Sequence, residues 1–94
     1  MSDPKHSDMP ELLGQIVVLD LASPFVYLGR LMVDHPDYLV LEDVDAHDLR
    51  DTATTREKYV LDCHLHGINP NRRRLWVNRR EIVSISLLAD VIGD

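Results

Sequence analysis

The sequence predicts a mainly β protein built on a small, strongly bent antiparallel sheet. Across residues 14–43, apolar and polar side chains alternate, as they do in strands with one buried face. Val17, Leu19 and Leu21 share one side of the first strand. Gly29 lies inside the second strand, where a glycine marks a bulge, a sharp bend or a close approach of backbones. The alternation and this glycine together predict the tight curvature of a small barrel.

Five strands are predicted, with turn-forming residues between them. Ala-Ser-Pro and His-Pro-Asp separate the first three, which form an antiparallel meander. The last two follow the turn Gly-Ile-Asn-Pro-Asn and are joined by a tight polar connection at residues 78–81. The predicted strands cover residues 15–21, 25–33, 38–44, 73–77 and 82–87.

A short helix is predicted before the first strand. Asp8 and Glu11 have the spacing of a capping box, and Pro10 suits the first helical turn. Gly14 marks the end of this helix, whose apolar residues would cover one open end of the sheet. The preceding residues, 1–7, are polar and are predicted to form a mobile tail.

Residues 45–72 form an insertion before the last two strands. Its first part, residues 45–55, is polar and without periodicity, which predicts a surface loop. Thr54 and Glu57 then have the spacing of a second capping box, and Gly67 is typical of a residue that follows a helix. These signals favour a helix over residues 55–66.

The same segment also carries a strand-like pattern, which is the alternative interpretation. Every second residue from Tyr59 to Leu65 could face one side of a sheet. In that case Asp62, His64 and His66 would share a strand face and could converge on a metal ion. In a helix this convergence fails, so no metal site is predicted.

The 94 residues are predicted to form one domain, spanning 1–94. Cys63 is the only cysteine, so no internal disulfide is expected, and we predict a buried thiol in a reducing compartment. The N-terminal sequence does not resemble a secretion signal, and no apolar run is long enough to span a membrane. These features predict a cytoplasmic protein without a membrane partner.

The charges are unevenly distributed along the chain. The net charge is −6, which argues against uniform attraction to nucleic acid. Most acidic residues precede Asp62, whereas half of the basic residues lie near the C-terminus. A guanidinium cluster of this kind can bind phosphate or form surface ion pairs. The clustered residues are Arg72, Arg73, Arg74, Arg79 and Arg80.

Two segments resemble the motifs of the Sm-like (LSm) family. The second motif of that family is similar to Leu75–Ile85, LWVNRREIVSI. The resemblance implies a divergent member of bacterial or phage type. It also implies an Sm-like barrel of SH3 type, with five strands and an N-terminal helix, whose subunits pair edge strands into a homo-oligomeric ring. The residues that resemble the first motif are Gly14, Val17, Leu19, Leu21, Tyr27, Gly29, Leu31, Asp34, Leu39, Leu41 and Asp43.

In such a ring the turn between the last two strands lines the central pore, and the resemblance therefore places Asn78, Arg79 and Arg80 there. The uridine-binding asparagine of the family corresponds to Tyr38, and the preceding stacking position corresponds to Pro36. The resemblance thus implies RNA binding with altered base recognition.

The predicted function is binding of RNA or single-stranded nucleic acid, without catalysis and without a cofactor. No phosphate-binding glycine loop, metalloprotease motif or nucleophile elbow is present in the sequence. Tyr38 and Trp76 can stack on bases or serve as packing residues. The alternative is a protein-interaction scaffold whose arginines stabilise the assembly. The candidate nucleic-acid-binding residues are Tyr38, Arg72, Arg73, Arg74, Asn78, Arg79 and Arg80.

Overall fold

The architecture is a single five-stranded antiparallel sheet with one α-helix inserted before its last two strands. The structure, a computed structural model, describes residues 9–93. The strand order is β4-β3-β2-β1-β5, so β4 and β5 form the two edges. This confirms the predicted fold class. The elements are β1 (Ile16–Leu21), β2 (Phe25–Asp34), β3 (Tyr38–Asp48), α1 (Arg56–His66), β4 (Arg72–Asn78) and β5 (Ile82–Leu87).

The concave face of the sheet encloses the main apolar core. Alternate residues of each strand point into it, as the period of a strand requires. Leu12, which precedes β1, packs against this core, as expected for a residue that covers an open end. The buried members are Val17, Leu19, Leu21, Leu31, Leu39, Leu41, Val44 and Val77.

Gly29 lies at a bulge between β2 and β3. Leu28 pairs with Asp45, whereas Arg30 pairs with Glu42, so two residues of β3 face one glycine. One of these two, Asp43, has a φ of 51°, a left-handed conformation that is unusual for a residue with a side chain. The bulge bends the sheet at the predicted glycine.

The convex face carries a second apolar core, which the sequence pattern did not predict. Val18, Val26 and Leu28 are buried against α1 and the C-terminal segment. Helix α1 contributes Cys63 to this core, and its exposure of 5% confirms the predicted burial. The predicted single buried face of β1 is therefore wrong, because Val18 is as inaccessible as its neighbours Val17 and Leu19.

Helix α1 ends at the predicted Gly67, but the predicted capping box of Thr54 and Glu57 is wrong by one residue, because the N-cap is Thr55 and the Thr54 hydroxyl makes no hydrogen bond within the described residues. The Thr55 hydroxyl accepts a hydrogen bond from the Lys58 amide at 3.2 Å. At the other end Gly67 has a φ of 90°, and its amide donates to the Cys63 carbonyl at 2.8 Å. The helical interpretation is confirmed, and the strand alternative is wrong.

The prediction of a surface loop over residues 45–55 is wrong in its first part, because β3 continues to Asp48. The extension pairs with the start of β2. On its other side the Asn71 side chain replaces a strand neighbour: its Oδ1 accepts from the Ala46 amide and its Nδ2 donates to the Ala46 carbonyl, both at 3.0 Å. Long-range pairing of this kind leaves no periodic signal in so polar a segment.

The predicted N-terminal helix is reduced to one 3₁₀ turn, Pro10–Leu12. It ends because Leu13 is extended and Gly14 has a φ of 80°. The Gly14 amide then donates to the Leu31 carbonyl at 2.7 Å, which ties the turn to β2. Both the capping residue Asp8 and the predicted tail, 1–7, lie outside the described residues.

A buried carboxylate joins β3 to α1. Asp45 is buried, at 3% exposure. The Tyr59 hydroxyl donates to this carboxylate at 2.7 Å, and the Asn69 amide donates at 3.1 Å. Burial and the Asp45 carboxylate raise the pKa of Cys63 to about 11, and the same two causes raise the pKa of Tyr59. No helix among residues 9–93 is long and apolar enough to span a membrane.

We predict that substitution of Gly29 by alanine destabilises the fold by about 1–3 kcal/mol, the usual cost of overpacking. A Cβ atom there would lie 3.1 Å from Val44 Cγ2 and 3.2 Å from the Glu42 carbonyl oxygen. Chemical denaturation measures the change. Asp43→Gly, in the same bulge, serves as the control and should alter stability by less than about 1 kcal/mol, since it removes an exposed ion pair but suits the left-handed backbone at this position. A Gly29→Ala protein as stable as the parent would contradict the close approach.

We also predict that stability falls as the pH rises from about 8.5, the pKa of a cysteine in an unfolded chain, toward about 11. In this range the unfolded chain releases the Cys63 proton while the folded protein retains it, so proton loss favours unfolding. Denaturation curves at successive pH values measure the trend. Cys63→Ala should flatten it between about pH 8.5 and 10, below the range in which an unfolded tyrosine titrates. If stability fell with pH as steeply in this variant as in the parent, the assignment of the pH dependence to Cys63 would be contradicted.

Candidate nucleic-acid interface

The turn between β4 and β5 is shaped by Asn78, whose side-chain oxygen accepts a hydrogen bond from the Arg80 amide at 3.0 Å. This contact is a local asparagine turn, which fixes the polar connection predicted from the sequence. The Arg79 amide donates to the Asp37 carbonyl at 3.1 Å. The β4–β5 turn is therefore attached to the turn between β2 and β3.

Arg79 strengthens this attachment with its side chain. Its Nη1 forms an ion pair with Asp34 Oδ1 and donates to the His35 carbonyl at 3.0 Å. The Asp34 side chain is only 3% exposed, and this cation compensates its charge. Arg79 thus holds two turns together, and the Arg80 guanidinium supplies the exposed charge at this place.

A groove of about 450 Å³ lies beside the joined turns. One wall carries Tyr38, whose ring stacks on His35 with centroids 4.3 Å apart and an interplanar angle of 13°. Tyr38 pairs with Asn78 and Val40 pairs with Trp76, so Tyr38 and Trp76 are diagonal neighbours on the convex face. The groove is lined by Pro36, Asp37, Tyr38, Trp76, Val77, Asn78, Arg79 and Arg80.

The five clustered arginines are divided between the two ends of β4. Arg72 opens the strand and Asn78 closes it, a separation of about 20 Å at 3.3 Å per residue. The structure therefore brings Tyr38, Asn78, Arg79 and Arg80 together in the groove but leaves Arg72 and Arg73 at the far end.

Arg74 lies between these ends and is neutralised. Its guanidinium donates to Glu42 Oε2 from Nη2 at 2.8 Å and from Nε at 3.2 Å. It also lies over the Trp76 ring, 5.9 Å from the centroid. Within residues 9–93, three arginines form no ion pair, and these are Arg72, Arg73 and Arg80.

The residues of the alternative metal hypothesis do not converge on α1. Asp62 forms an ion pair with Lys58 at 3.6 Å, and His64 Nδ1 lies 2.8 Å from the Leu88 carbonyl oxygen. No cluster of three histidine, cysteine or acidic side chains suited to a metal occurs in the described part of the chain. The helical spacing explains this, because residues two apart point to different sides.

The geometry also includes contacts that the sequence did not predict. His35 supports the Tyr38 ring, and Asp34 anchors Arg79. The sequence identified His35 only as part of a turn and Asp34 only as a motif residue, with no partner for either. No periodicity could have paired Asp34 with a residue 45 positions further along the chain.

The described chain has an Sm-like fold, and solved structures establish the likeness. No protein-family model matches the sequence, and no curated protein matches it significantly. The Sm protein of Pyrococcus abyssii in complex with a uridine heptamer is similar with a TM-score of 0.56 and 17% identity, covering 84% of this chain and 90% of that one. A chain of the NatC complex bound to Gag peptide and CoA has a TM-score of 0.57 and 15% identity, covering 85% and 90% respectively. A chain of the NatC complex bound to CoA has a TM-score of 0.57 and 14% identity, and the match covers 88% of this chain and 87% of that one.

Proposed function

We propose that this protein is a cytoplasmic, homo-oligomeric Sm-like protein that binds RNA or other single-stranded nucleic acid without catalysing a reaction. The observation that carries the proposal is the groove at the joined turns, where an unpaired guanidinium lies beside aromatic side chains. Arginine contacts to phosphate and aromatic contacts to bases are the two main components of single-strand binding. The Pyrococcus Sm protein, solved with a uridine heptamer, supports the proposal at the level of the fold.

The charge available to a phosphate at the groove comes from Arg80. Its side chain has no ion pair within the described residues, and its backbone is fixed by Asn78. Arg79 contributes indirectly, because its ion pair with Asp34 holds the turn in place. This division of roles explains why adjacent arginines can serve one site without both contacting the ligand.

The proposed ring follows from the two edges of the sheet. Within residues 9–93, β4 pairs only with β3 and β5 only with β1, so each leaves one row of backbone groups unpaired. Such edges favour pairing with another chain. If β4 of one subunit pairs with β5 of the next, Arg80 is repeated around the assembly. The repeated charge would create a local positive field despite the net charge of −6 per chain.

The base recognition proposed here differs from that of the Sm-like family, in which an asparagine binds uridine. Tyr38 occupies that position and is already stacked on His35, so it offers an aromatic face in place of an amide. Stacking on an aromatic face tolerates every base. We therefore propose contacts to the backbone and base faces rather than to base edges.

A protein-interaction scaffold is the second candidate. The observation that favours it is a group of exposed apolar side chains on the convex face and β5: Val33 is 42% exposed, Trp76 60% and Val83 71%. The similar chain in the NatC complex shows that this fold also occurs in a multiprotein assembly. A scaffold would use the same ring with no affinity for RNA.

We predict that Arg80→Ala lowers the affinity for single-stranded RNA by about tenfold, the usual effect of removing one charge-assisted hydrogen bond. It should also reduce the slope of log affinity against log salt by about 0.7 for each phosphate that the variant no longer neutralises. Fluorescence anisotropy of a labelled RNA at several salt concentrations measures both quantities.

The matched control is Arg50→Ala, which removes the same charge just beyond the other end of β3, where Arg50 pairs with Asp48 at 2.8 Å. It should leave the affinity within about twofold, since a surface charge remote from the bound phosphate is largely screened. Arg79→Ala is unsuitable because it removes the side-chain contacts that join the two turns. Equal losses of affinity in the Arg80 and Arg50 variants would contradict the groove, and an absence of RNA binding by the parent would favour the scaffold.

A further inference from the structure

We propose that the bound single strand leaves the groove and follows the convex face of β4, with Trp76 as a second stacking platform and Arg72 at its far end. This inference rests on the proposed function and names the path of the ligand. It assigns a binding role to Trp76 and to the arginines that the groove does not include.

The side chains of β4 alternate between the core and the convex face. Val77 is 4% exposed, and Leu75 packs against the main core. Trp76 and its neighbours at positions 74 and 78 therefore point outward, and Arg72 is exposed at the start of the strand. An edge strand pairs in the plane of the sheet, whereas its side chains are perpendicular to it. Ring formation through β4 therefore leaves this row of side chains uncovered by backbone pairing.

Trp76 has the surroundings of a stacking platform. Its side chain is 60% exposed, although it lies opposite Val40, which is only 7% exposed. The Arg74 guanidinium lies over the ring and is held there by Glu42. This contact restrains the indole and so reduces the freedom that it would lose when a base stacks on its exposed part.

Unpaired arginines stand at both ends of this row. Arg80 follows β4 and Arg72 begins it, and the strand between them spans about 20 Å at 3.3 Å per residue, whereas Arg73 alternates to the face opposite Trp76. Between them the charge of Arg74 is compensated by Glu42. The surface thus has an aromatic centre with cationic ends, which matches a strand whose phosphates lie on the cations and whose base lies on the indole.

The test uses the fact that Trp76 is the only tryptophan of the chain. Its emission is followed while an unlabelled RNA of mixed sequence, about ten nucleotides long, is added to the full-length protein. The affinity is measured separately by anisotropy of the labelled RNA. Trp76→Leu removes the stacking surface but keeps an apolar side chain, and Trp76→Phe restores an aromatic ring. The mass of every protein is measured by light scattering to compare their assemblies.

We expect RNA to quench the Trp76 emission with the same midpoint as the anisotropy change. Trp76→Leu should lower the affinity by about tenfold, the size of one stacked base, while Trp76→Phe should retain most of it. Arg72→Ala should reduce the salt dependence of binding, as expected when one phosphate is no longer neutralised.

Three results would overturn the inference in distinguishable ways. RNA binding that depends on Arg80, without quenching and with full affinity in Trp76→Leu, would reject the path along β4 and keep the proposed function. An emission that changes with protein concentration alone, together with a lower mass for Trp76→Leu, would place Trp76 at a subunit contact. No RNA binding by the parent protein at low salt would reject the proposed function and this path with it.

Discussion

The close approach of β3 to Gly29 is the constraint on which the fold depends. A side chain at this position would meet the Val44 side chain and the Glu42 carbonyl, so the backbones can bend together only around glycine. The bend divides β2 and β3 into two parts. One part of β3 carries Leu39 and Leu41 into the main core, and the other carries Asp45 toward α1. The small barrel and the helix that covers its convex face are both consequences of this bulge.

A second interaction adapts the fold to its proposed use. The ion pair between Arg79 and Asp34 joins the ends of distant strands, and it removes one cation from the ligand surface while positioning the next. Six ion pairs in the described residues neutralise most of the basic side chains. Of the three arginines without an ion pair in these residues, two begin β4 and the third follows it. A chain of net charge −6 can therefore present exposed cations along one strand, although Asp37 also lines the groove.

Most of the sheet could be predicted from local patterns. Alternation located the first three strands, turn residues delimited the last two, and Gly29 located the bend. For α1, Gly67 and a threonine cap one residue from its predicted position outweighed the strand-like alternation. The second core could not be predicted, because a strand such as β1 shows its second buried face only when a distant helix packs on it. The continuation of β3 past Val44 was missed for a similar reason, since it depends on Asn71. At the site, the sequence identified Tyr38, Asn78 and Arg80, but only the folded chain separates Arg79 in its ion pair from Arg80 and moves Arg72 to the far end of β4.

The central claim is that open edges β4 and β5 pair between copies to form a ring that carries single-stranded RNA. The most direct measurement is the mass of the full-length chain by light scattering during size exclusion, with and without short single-stranded RNA, at low and moderate salt. The account predicts a mass that is a multiple of 10.8 kDa, with RNA in the same peak at low salt and released as salt is raised. A mass of 10.8 kDa with RNA eluting separately at every salt concentration would contradict it.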